Sequence, residues 1–298
     1  MTKDYLAIDV GGTRLKVGLI DRSGNIIEKF SARTNTAGLE AFLGQLRDVI
    51  GRYDGKIRGV GFSLPGKLAH PDDTIKGGGS LTFMDGVNLR DKLALDIPIA
   101  VENDGKAAAL AELWLGQLKD VQDGMAIVLG TGVGGGLVLN GNLVYGTHFQ
   151  AGELSFIFNQ LEKGMDTSIG LNGSAVEMIK RIGTELKLPE IDDGLAVFEY
   201  INAGNPVAVD IFDAYAAEIA LLIQNIQAIV DVQRIVIGGG ISAIVAERIR
   251  DQYMTFFEGN EVVAGTLTPV EIVAGQFAND ANLFGAIYHL LMELNQED

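Results

Sequence analysis

The chain has 298 residues, of which 47% are hydrophobic, and a mean hydropathy of +0.22. This is enough apolar material for one large domain or two of ordinary size. The sequence has no cysteine, which excludes disulfides, thiolate metal sites and a cysteine nucleophile. A net charge of −16 argues against nucleic-acid binding. Without a signal-peptide pattern or a membrane-length apolar run, we expect a cytoplasmic protein that binds no membrane.

The first part of the chain alternates predicted strands with turns rich in glycine. Apolar runs bounded by turn signals predict strands at residues 5–10, 15–20, 26–32, 57–63 and 97–102. Apolar residues at helical spacing predict helices at 39–53 and 106–115. Gly11 and Gly12 separate the first two strands, and a polar turn at 21–25 precedes the third.

The same order of elements returns in the second part. Strands are predicted at 125–129, 137–139, 143–145, 234–237 and 270–273, a glycine loop at 130–136, and helices at 174–188, 207–230, 241–257 and 279–294. Because strand, glycine loop, strand, turn and strand occur twice, we predict two similar α/β domains facing one another. The first spans 1–118 and is joined by the closing segment 279–296, and the second spans 119–278.

Two glycine loops occupy equivalent positions of this repeat. Residues 130–135 match G-x-G-x-x-G, but a hairpin turn at 140–141 follows where a dinucleotide-binding fold needs a helix. No Gly-Lys-Ser/Thr follows, which excludes a Walker A loop. One such loop alone is as consistent with a tight turn, but the matched pair favours backbone N–H groups that hold phosphate. The candidate phosphate-binding residues are Gly11, Gly12, Thr13, Gly130, Thr131, Gly132 and Gly134.

Three further features lie beside predicted strands. Asp9 ends the first strand next to the first loop, where it could hold Mg²⁺ directly or through water, or simply terminate the strand. Gly238, Gly239 and Gly240 join a strand to a helix. They permit either close packing of the two or a floor under a flat ring such as adenine. Lys16 could reach phosphate, or lie at a solvated strand position.

Five segments, in this order, resemble motifs of the ROK family of bacterial sugar kinases and sugar-responsive repressors. They are IDVGGT at 8–13, VEND at 101–104 with the alanines that follow, LGTGVGGG at 129–136, AGE at 151–153 and IGGG at 237–240. The resemblance covers nearly the whole chain. It implies two actin/hexokinase-like (ribonuclease H-like) α/β domains with mixed sheets flanked by helices, and an active site in the interdomain cleft.

The resemblance also implies roles for individual residues. Asp104 would be the general base that takes the proton of the attacking sugar hydroxyl, with ATP and Mg²⁺ as cofactors. Asn103 and Glu153 would bind sugar hydroxyls, and Gly79 and Ser80 would shape the sugar pocket. From spacing alone, Asn103 and Asp104 could instead cap the helix that follows them, and one residue could do both.

The chain departs from the family pattern after Glu153. Phe156 stands where many members have a zinc-ligating histidine, and with no cysteine the family's zinc site cannot form. His70, His148 and His289 are too scattered to replace it. Phe156 indicates a roomier, more apolar pocket wall suited to a glycoside, or it fills the space of the missing metal. His148 could lie near the sugar or at the surface.

The leading hypothesis is therefore an ATP-dependent carbohydrate kinase acting on a hexose or β-glucoside, at the primary 6-hydroxyl. The sequence resembles zinc-less members, some of which act on β-glucosides or glucose. A sugar-responsive repressor is disfavoured because the first strand begins within five residues of Met1, which leaves no room for a DNA-binding helix-turn-helix. A catalytically inactive sugar-binding protein is the other alternative. By the same resemblance we expect a homodimer whose only other partners are a sugar and ATP.

Overall fold

A computed structural model describes residues 3–69 and 73–297 of the chain. His70, one of the three scattered histidines named above, lies outside the described residues. The chain forms two compact units. The first comprises Met1–Asp120, Asn142–Gly152 and Asn279–Asp298, and the second comprises Val121–Gly141 and Glu153–Ala278.

The elements up to residue 114 build most of the first unit. They are β1 (Asp4–Val10), β2 (Arg14–Ile20), β3 (Ile26–Arg33), α1 (Leu39–Gly51), β4 (Ile57–Leu64), β5 (Lys67–Ala69), β6 (Thr74–Lys76), α2 (Leu89–Leu93), β7 (Ile99–Asn103) and α3 (Asp104–Trp114). β1 is buried along almost its whole length because it lies in the middle of its sheet with apolar side chains on both faces. Each fully buried Leu or Ile contributes about 1.5–3 kcal/mol to the stability of the fold.

The remaining elements follow in chain order. They are β8 (Gly124–Leu129), β9 (Val133–Leu139), β10 (Asn142–Val144), α4 (Ile169–Asn172), α5 (Ala175–Glu185), α6 (Gly194–Asn202), α7 (Pro206–Val230), β11 (Arg234–Gly238), α8 (Ser242–Glu258), α9 (Glu261–Thr266), β12 (Glu271–Ala274) and α10 (Ala281–Glu297). Single 3₁₀ turns occur at Thr82–Met84, Leu154–Phe156 and Ala278–Asp280, and a longer 3₁₀ segment at Leu161–Thr167. No helix in the described ranges is long and apolar enough to cross a membrane.

The two main sheets have the same strand order. The first is β3-β2-β1-β4-β7 and the second is β10-β9-β8-β11-β12. In both, an antiparallel hairpin (β1–β2 or β8–β9) is followed by two strands that pair in parallel. The repeated strand pattern predicted from the sequence is confirmed, and the fold is α/β with two mixed sheets flanked by helices.

Helix α10 packs backbone to backbone in the first unit, because two glycines allow it. A Cβ at Gly61 of β4 would lie 2.3 Å from the carbonyl oxygen of Ala286, and a Cβ at Gly285 would lie 1.7 Å from that of Ala107 in α3. Neither position accepts a side chain without moving main-chain atoms. This close approach brings the polar side chains of α10 within reach of the sheet.

The prediction of a seven-residue glycine loop at 130–136 is wrong in length. β9 begins at Val133, so the loop is confined to residues 130–132, and Gly134 pairs with Val128 inside the hairpin. Glycine is tolerated in a strand despite its low strand propensity when ladder hydrogen bonds are made. The short helices α2, α4, α6 and α9 were not predicted, since four to nine residues give too little periodicity to detect.

Candidate active site

Asp9 lies at the end of β1 and is only 6% exposed. Its Oδ1 accepts a hydrogen bond of 3.0 Å from the Asn282 side chain, and its Oδ2 lies 3.4 Å from the Lys16 ammonium. Lys16 also donates to the carbonyl of Asn279 at 2.8 Å. Lys16 is partly exposed and pairs with the carboxylate opposite it in the hairpin, and its contact with phosphate stays a prediction.

Two hydrogen bonds hold the loop between β1 and β2 in place. The Gly11 N–H donates to the Arg14 carbonyl at 3.0 Å, and the Thr34 hydroxyl donates to the Gly11 carbonyl at 2.7 Å. A Cβ at Gly12 would lie 1.9 Å from Ser80 Oγ, so the loop and Ser80 are in direct contact. Thr13 is exposed at the tip of the loop.

Asn103 and Asp104 occupy the junction of β7 and α3. Asn103 is the N-cap of α3, and its Oδ1 accepts from the Lys106 N–H at 3.1 Å. Its Nδ2 donates to the Gly66 carbonyl at 2.8 Å and to Asp104 Oδ1 at 3.0 Å. Asp104 Oδ1 also accepts from the Gly105 N–H at 2.8 Å. The capping role therefore belongs to Asn103, while Asp104 is the first residue of the helix and half-buried.

These contacts connect several predicted sugar-site residues within the first unit. Gly66, which accepts from Asn103, approaches Gly77 so closely that a Cβ on it would lie 2.6 Å from the Gly77 carbonyl. Gly79, two residues further on, lies against Pro65. The segment then reaches the first glycine loop through Ser80.

Two serines that were not predicted as site residues form hydrogen bonds to the second loop, between β8 and β9. Ser155 Oγ accepts from the Val133 N–H at 2.9 Å and donates to its carbonyl at 3.0 Å. The Ser174 hydroxyl donates to the Gly130 carbonyl at 3.3 Å while capping α5. Only Ser174 had a sequence signal, the capping-box spacing to Glu177. Thr131 is exposed at the tip of this loop, as Thr13 is in the first.

The glycine run at 238–240 shows close packing, one of the two alternatives that the sequence left open. Gly239 has a φ of +109°, and a Cβ there would lie 2.2 Å from the Leu129 carbonyl, so it is required for close packing. Gly238 ends β11, where it pairs with Val128. Gly240 lines a cavity, and its contact with a nucleotide stays a prediction.

That cavity has a volume of about 710 Å³ and lies entirely in the second unit. One wall is formed by Gly240, Ile241 and Ile244 at the start of α8, and the other by Leu195 and Phe198 of α6. Leu195 is 83% exposed. The α6 wall was not predicted.

The segment after β10 contains the remaining candidates. Glu153 is half-buried and precedes the 3₁₀ turn Leu154–Phe156. Phe156 is 64% exposed, so it does not fill interior volume in place of a metal. His148 is exposed. Among the residues that the structure describes, no group of three or more His, Cys, Asp or Glu side chains is arranged to hold a metal ion.

Comparison with known proteins identifies the family of this chain. The ROK family model matches residues 5–292. The chain is 30% identical over 302 residues to the beta-glucoside kinase of Listeria innocua, covering 98% of this chain and 99% of that one. It is also 30% identical to the glucokinase of Halalkalibacterium halodurans over 80% of each chain. A crystal structure of a ROK family protein from Streptococcus pneumoniae in complex with sucrose superposes with a TM-score of 0.86 at 26% identity, covering 98% and 99% of the two chains.

Proposed function

This chain belongs to the ROK family, and from that membership we propose that it transfers the γ-phosphoryl group of ATP to the 6-hydroxyl of a β-glucoside. At the coarser level, the protein is a carbohydrate kinase, the activity for which both curated relatives are named. The observation that carries the proposal is the position of Asp104, a half-buried carboxylate at the N-terminus of α3 with its orientation fixed by Asn103.

Asp104 is proposed as the general base. Its Oδ1 accepts two hydrogen bonds, from Asn103 and the Gly105 N–H, and these fix the plane of the carboxylate. The helix N-terminus favours its ionised form. In the reaction Asp104 takes the proton of the sugar hydroxyl as that oxygen bonds to the γ-phosphorus, and the bond from phosphorus to the β,γ-bridging oxygen breaks to release ADP.

Asp9 is the residue that would hold Mg²⁺, directly or through water. Mg²⁺ is bound in nucleotide sites through one or two carboxylates together with phosphate oxygens, and Asp9 supplies one such carboxylate beside the first loop. The single bond from Asn282 to Oδ1 and the ion pair to Oδ2 leave lone pairs on both oxygens. When bound, the ion neutralises phosphate charge.

The nucleotide contacts are proposed at the glycine loops. The candidates in the first loop are Gly11, Gly12 and Thr13, and those in the second are Gly130, Thr131 and Gly132. The backbone N–H groups of Gly11 and Gly130 already donate to the carbonyls of Arg14 and Gly132, each at 3.0 Å. These two glycines would therefore give the phosphate room, and the N–H groups of the other four residues would donate to it. Gly134 is the weakest of these candidates because its N–H and carbonyl lie inside the β8–β9 hairpin. The cavity beside Gly240 suits the adenine ring, with Leu195 and Ile244 as apolar faces.

The sugar contacts are proposed at Asn103, Glu153, Gly79 and Ser80. Asn103 uses both N–H groups of its amide within the protein, so it would accept a hydrogen bond from a sugar hydroxyl through the second lone pair of Oδ1. The exposed ring of Phe156 favours a β-glucoside over a free hexose, because an aromatic face can stack on a second ring.

A coupled assay of ADP release tests the proposal over cellobiose, gentiobiose, glucose, mannose, N-acetylmannosamine and fructose. We expect the highest kcat/KM with a β-linked disaccharide, and phosphate on its 6-hydroxyl by ³¹P–¹H NMR. Phe156→Ala should reduce kcat/KM for cellobiose more than for glucose. Preference for glucose unaffected by Phe156→Ala would make the protein a glucokinase, and sugar binding without ADP release would identify an inactive sugar-binding protein.

The base is tested by an isosteric substitution. Asp104→Asn keeps the hydrogen bond from Asn103 and should lower kcat by about 10²–10⁴-fold, the range of general-base catalysis, with sugar affinity little changed. Turnover near that of the unchanged protein would remove Asp104 from the mechanism. Isothermal titration with sugar alone provides the affinity control.

We also propose that the protein is a cytoplasmic homodimer. Exposed apolar side chains on neighbouring faces of α7 and α8 support self-association, among them Leu221 (47% exposed) and Phe256 (48%) beside a shallow cavity of about 270 Å³. Multi-angle light scattering should give a mass of twice 31.8 kDa. A monomer at micromolar concentration would contradict this.

A further inference from the structure

Behind Asn103 lies a buried set of charged side chains that the proposed chemistry does not use. Glu102, the residue before it in β7, is 0% exposed. Its Oε1 accepts from the Asn103 backbone N–H at 2.8 Å, and its Oε2 accepts from the Tyr145 hydroxyl at 2.6 Å. A carboxylate in such a position is costly unless a nearby positive charge compensates it.

His289 of α10 is placed to supply that charge. It is 6% exposed, with Nδ1 lying 3.2 Å from Glu102 Oε2 and Nε2 lying 3.0 Å from Glu293 Oε1. Nε2 is within hydrogen-bond distance of Glu293, whereas Nδ1 approaches Glu102 at ion-pair distance without hydrogen-bond geometry, so the contact with Glu102 is attractive through charge only when the ring is protonated. A carboxylate at each ring nitrogen therefore favours the protonated ring.

The outer end of this set is anchored by an arginine. Arg90 donates to both oxygens of Glu293, at 2.6 and 2.9 Å, and through Nε to Asp73 at 2.7 Å. Burial alone would lower the pKa of His289. The hydrogen bond with Glu293 and the charges of Glu102, Glu293 and Asp73 outweigh burial, so its pKa lies above the ordinary value.

The same helix also touches the other proposed site carboxylate. Asn282, which donates to Asp9, lies seven residues before His289 and so on the same face of α10. Asp9, Ser63 and Glu102 are cross-strand neighbours in β1, β4 and β7 and share one face of the sheet. One face of α10 thus supports both the first glycine loop and the β7–α3 junction.

We propose that His289 is a positioning residue for phosphoryl transfer: as an imidazolium it neutralises Glu102, and Glu102 fixes the Asn103 backbone that orients Asp104. This inference rests on the proposed role of Asp104. The groups facing the ring are Glu102 from β7, Glu293 from α10, Asp73 and Arg90 from the segments before and after β6, and the Tyr145 phenol. Loss of the ring proton leaves Glu102 uncompensated, so the junction loosens as pH rises.

The protonation state is tested by ¹⁵N-resolved NMR of the imidazole rings. The sequence has only three histidines, so His289→Gln identifies the signal. We expect two protonated ring nitrogens at pH 7 and a titration midpoint above the ordinary value for a histidine. A neutral His289 ring at pH 7 in the unchanged protein would overturn the proposal, and the variant serves only to assign the signal.

The positioning role is tested by kinetics. In His289→Gln we expect sugar kcat/KM to fall roughly tenfold, with KM for ATP unchanged. The alkaline limb of the sugar kcat/KM profile should disappear, while the acid limb set by Asp104 remains. Tyr145→Phe should shift that alkaline limb without abolishing it. The matched control is Arg248→Gln, which breaks an ion pair with Asp213 between α8 and α7 and should leave the sugar profile unchanged.

The Asp104→Asn measurement separates the two proposals. If Asp104→Asn is inactive and His289→Gln keeps the full alkaline limb and full sugar kcat/KM, only the positioning role of His289 is wrong. If Asp104→Asn retains activity, the proposed base is wrong, whatever His289 does. If His289→Gln lowers kcat/KM for the sugar and also raises KM for ATP, while the alkaline limb is retained, the effect is a general structural one. That result would overturn the positioning role.

Discussion

Asn103 and Asp104 are adjacent, yet their side chains make different contacts. Asn103 caps α3 and holds the Gly66 carbonyl, so it joins the helix to the turn between β4 and β5. Asp104 is spared the capping role and is oriented by its neighbour. At the scale of single residues, the helix cap and the proposed base are therefore neighbouring residues. The sequence alone could not tell which of the two caps the helix, because Asn and Asp are equally good N-caps.

The contact between Gly12 and Ser80 gives a test at this scale. Gly12→Ala places a Cβ 1.9 Å from Ser80 Oγ and 3.1 Å from Ser80 Cβ. Rotation of the Ser80 hydroxyl relieves only the first contact, so Ser80 and the first glycine loop must move slightly apart, and we expect KM for ATP to rise several-fold. Steady-state kinetics at saturating sugar measure this change.

A double-variant cycle provides the control. Both close contacts of the added Cβ are with the Ser80 side chain, so Gly12→Ala combined with Ser80→Gly should recover most of the lost ATP affinity. Additive effects of the two substitutions would show that the clash is not the cause. Ser80→Gly alone reports any sugar contact of the hydroxyl.

At the scale of elements, α10 determines how the first unit packs. Its backbone contacts both β4 and α3 through Gly61 and Gly285, and its polar residues Asn282 and His289 reach the sheet. The helix was predicted from its apolar spacing. Its polar contacts were not, because His289 and Glu102 are far apart in the chain and nothing in the local pattern of either residue signals the other.

Gly285→Ala should be strongly destabilising. The new Cβ would lie 1.7 Å from the Ala107 carbonyl, a main-chain atom that cannot rotate away, so we expect a loss of at least about 3 kcal/mol in the free energy of unfolding. Urea denaturation followed by circular dichroism measures it. The matched control is Gly44→Ala in α1, where a Cβ meets nothing within 4 Å and helix propensity predicts a gain of about 0.5–1 kcal/mol. Equal effects of the two would contradict this packing.

Strands and hairpins could be predicted better than the site around them. Apolar runs such as β1 and β11 are local signals, and the structure has them within one or two residues of the predicted ends. The β8–β9 loop was predicted too long because consecutive glycines are typical of a loop. In the structure, Gly134 lies in a strand because it pairs with Val128 of β8. Ser155 and Ser174 bind this loop from positions 22 and 44 residues away in the chain, so the sequence around the loop does not indicate them.

At the scale of the whole chain, the two hairpins show how the repeat has diverged. In the first, Asp9 of β1 is paired with Lys16 of β2, and in the second the corresponding pair is Val128 and Gly134. The proposed metal-binding carboxylate therefore exists in only one copy. The second copy keeps the glycine loop and its exposed Thr131 without the charge. The two hairpins thus have the same fold but different parts of the proposed chemistry.

The stability of the folded chain should depend on pH through the charged set around His289. The pKa of His289 is raised, so its contribution is fully present below its ordinary value of about 6.5 and is lost as pH rises through the folded-state pKa. Burial would raise the pKa of Glu293, but its bonds with His289 and Arg90 lower it. Its contribution is therefore present above the ordinary value and lost as pH falls through the folded-state pKa.

Tm measured by calorimetry from pH 4 to 9 should therefore be highest between the folded-state pKa of Glu293 and that of His289. It should decline as pH rises through the pKa of His289. In His289→Gln the alkaline decline should be reduced relative to the unchanged chain, because no ring proton is lost there. His148→Gln is the control for histidine content, since that side chain is exposed. An alkaline decline identical in all three proteins would mean that His289 keeps its ordinary pKa and that Glu102 is compensated by another group.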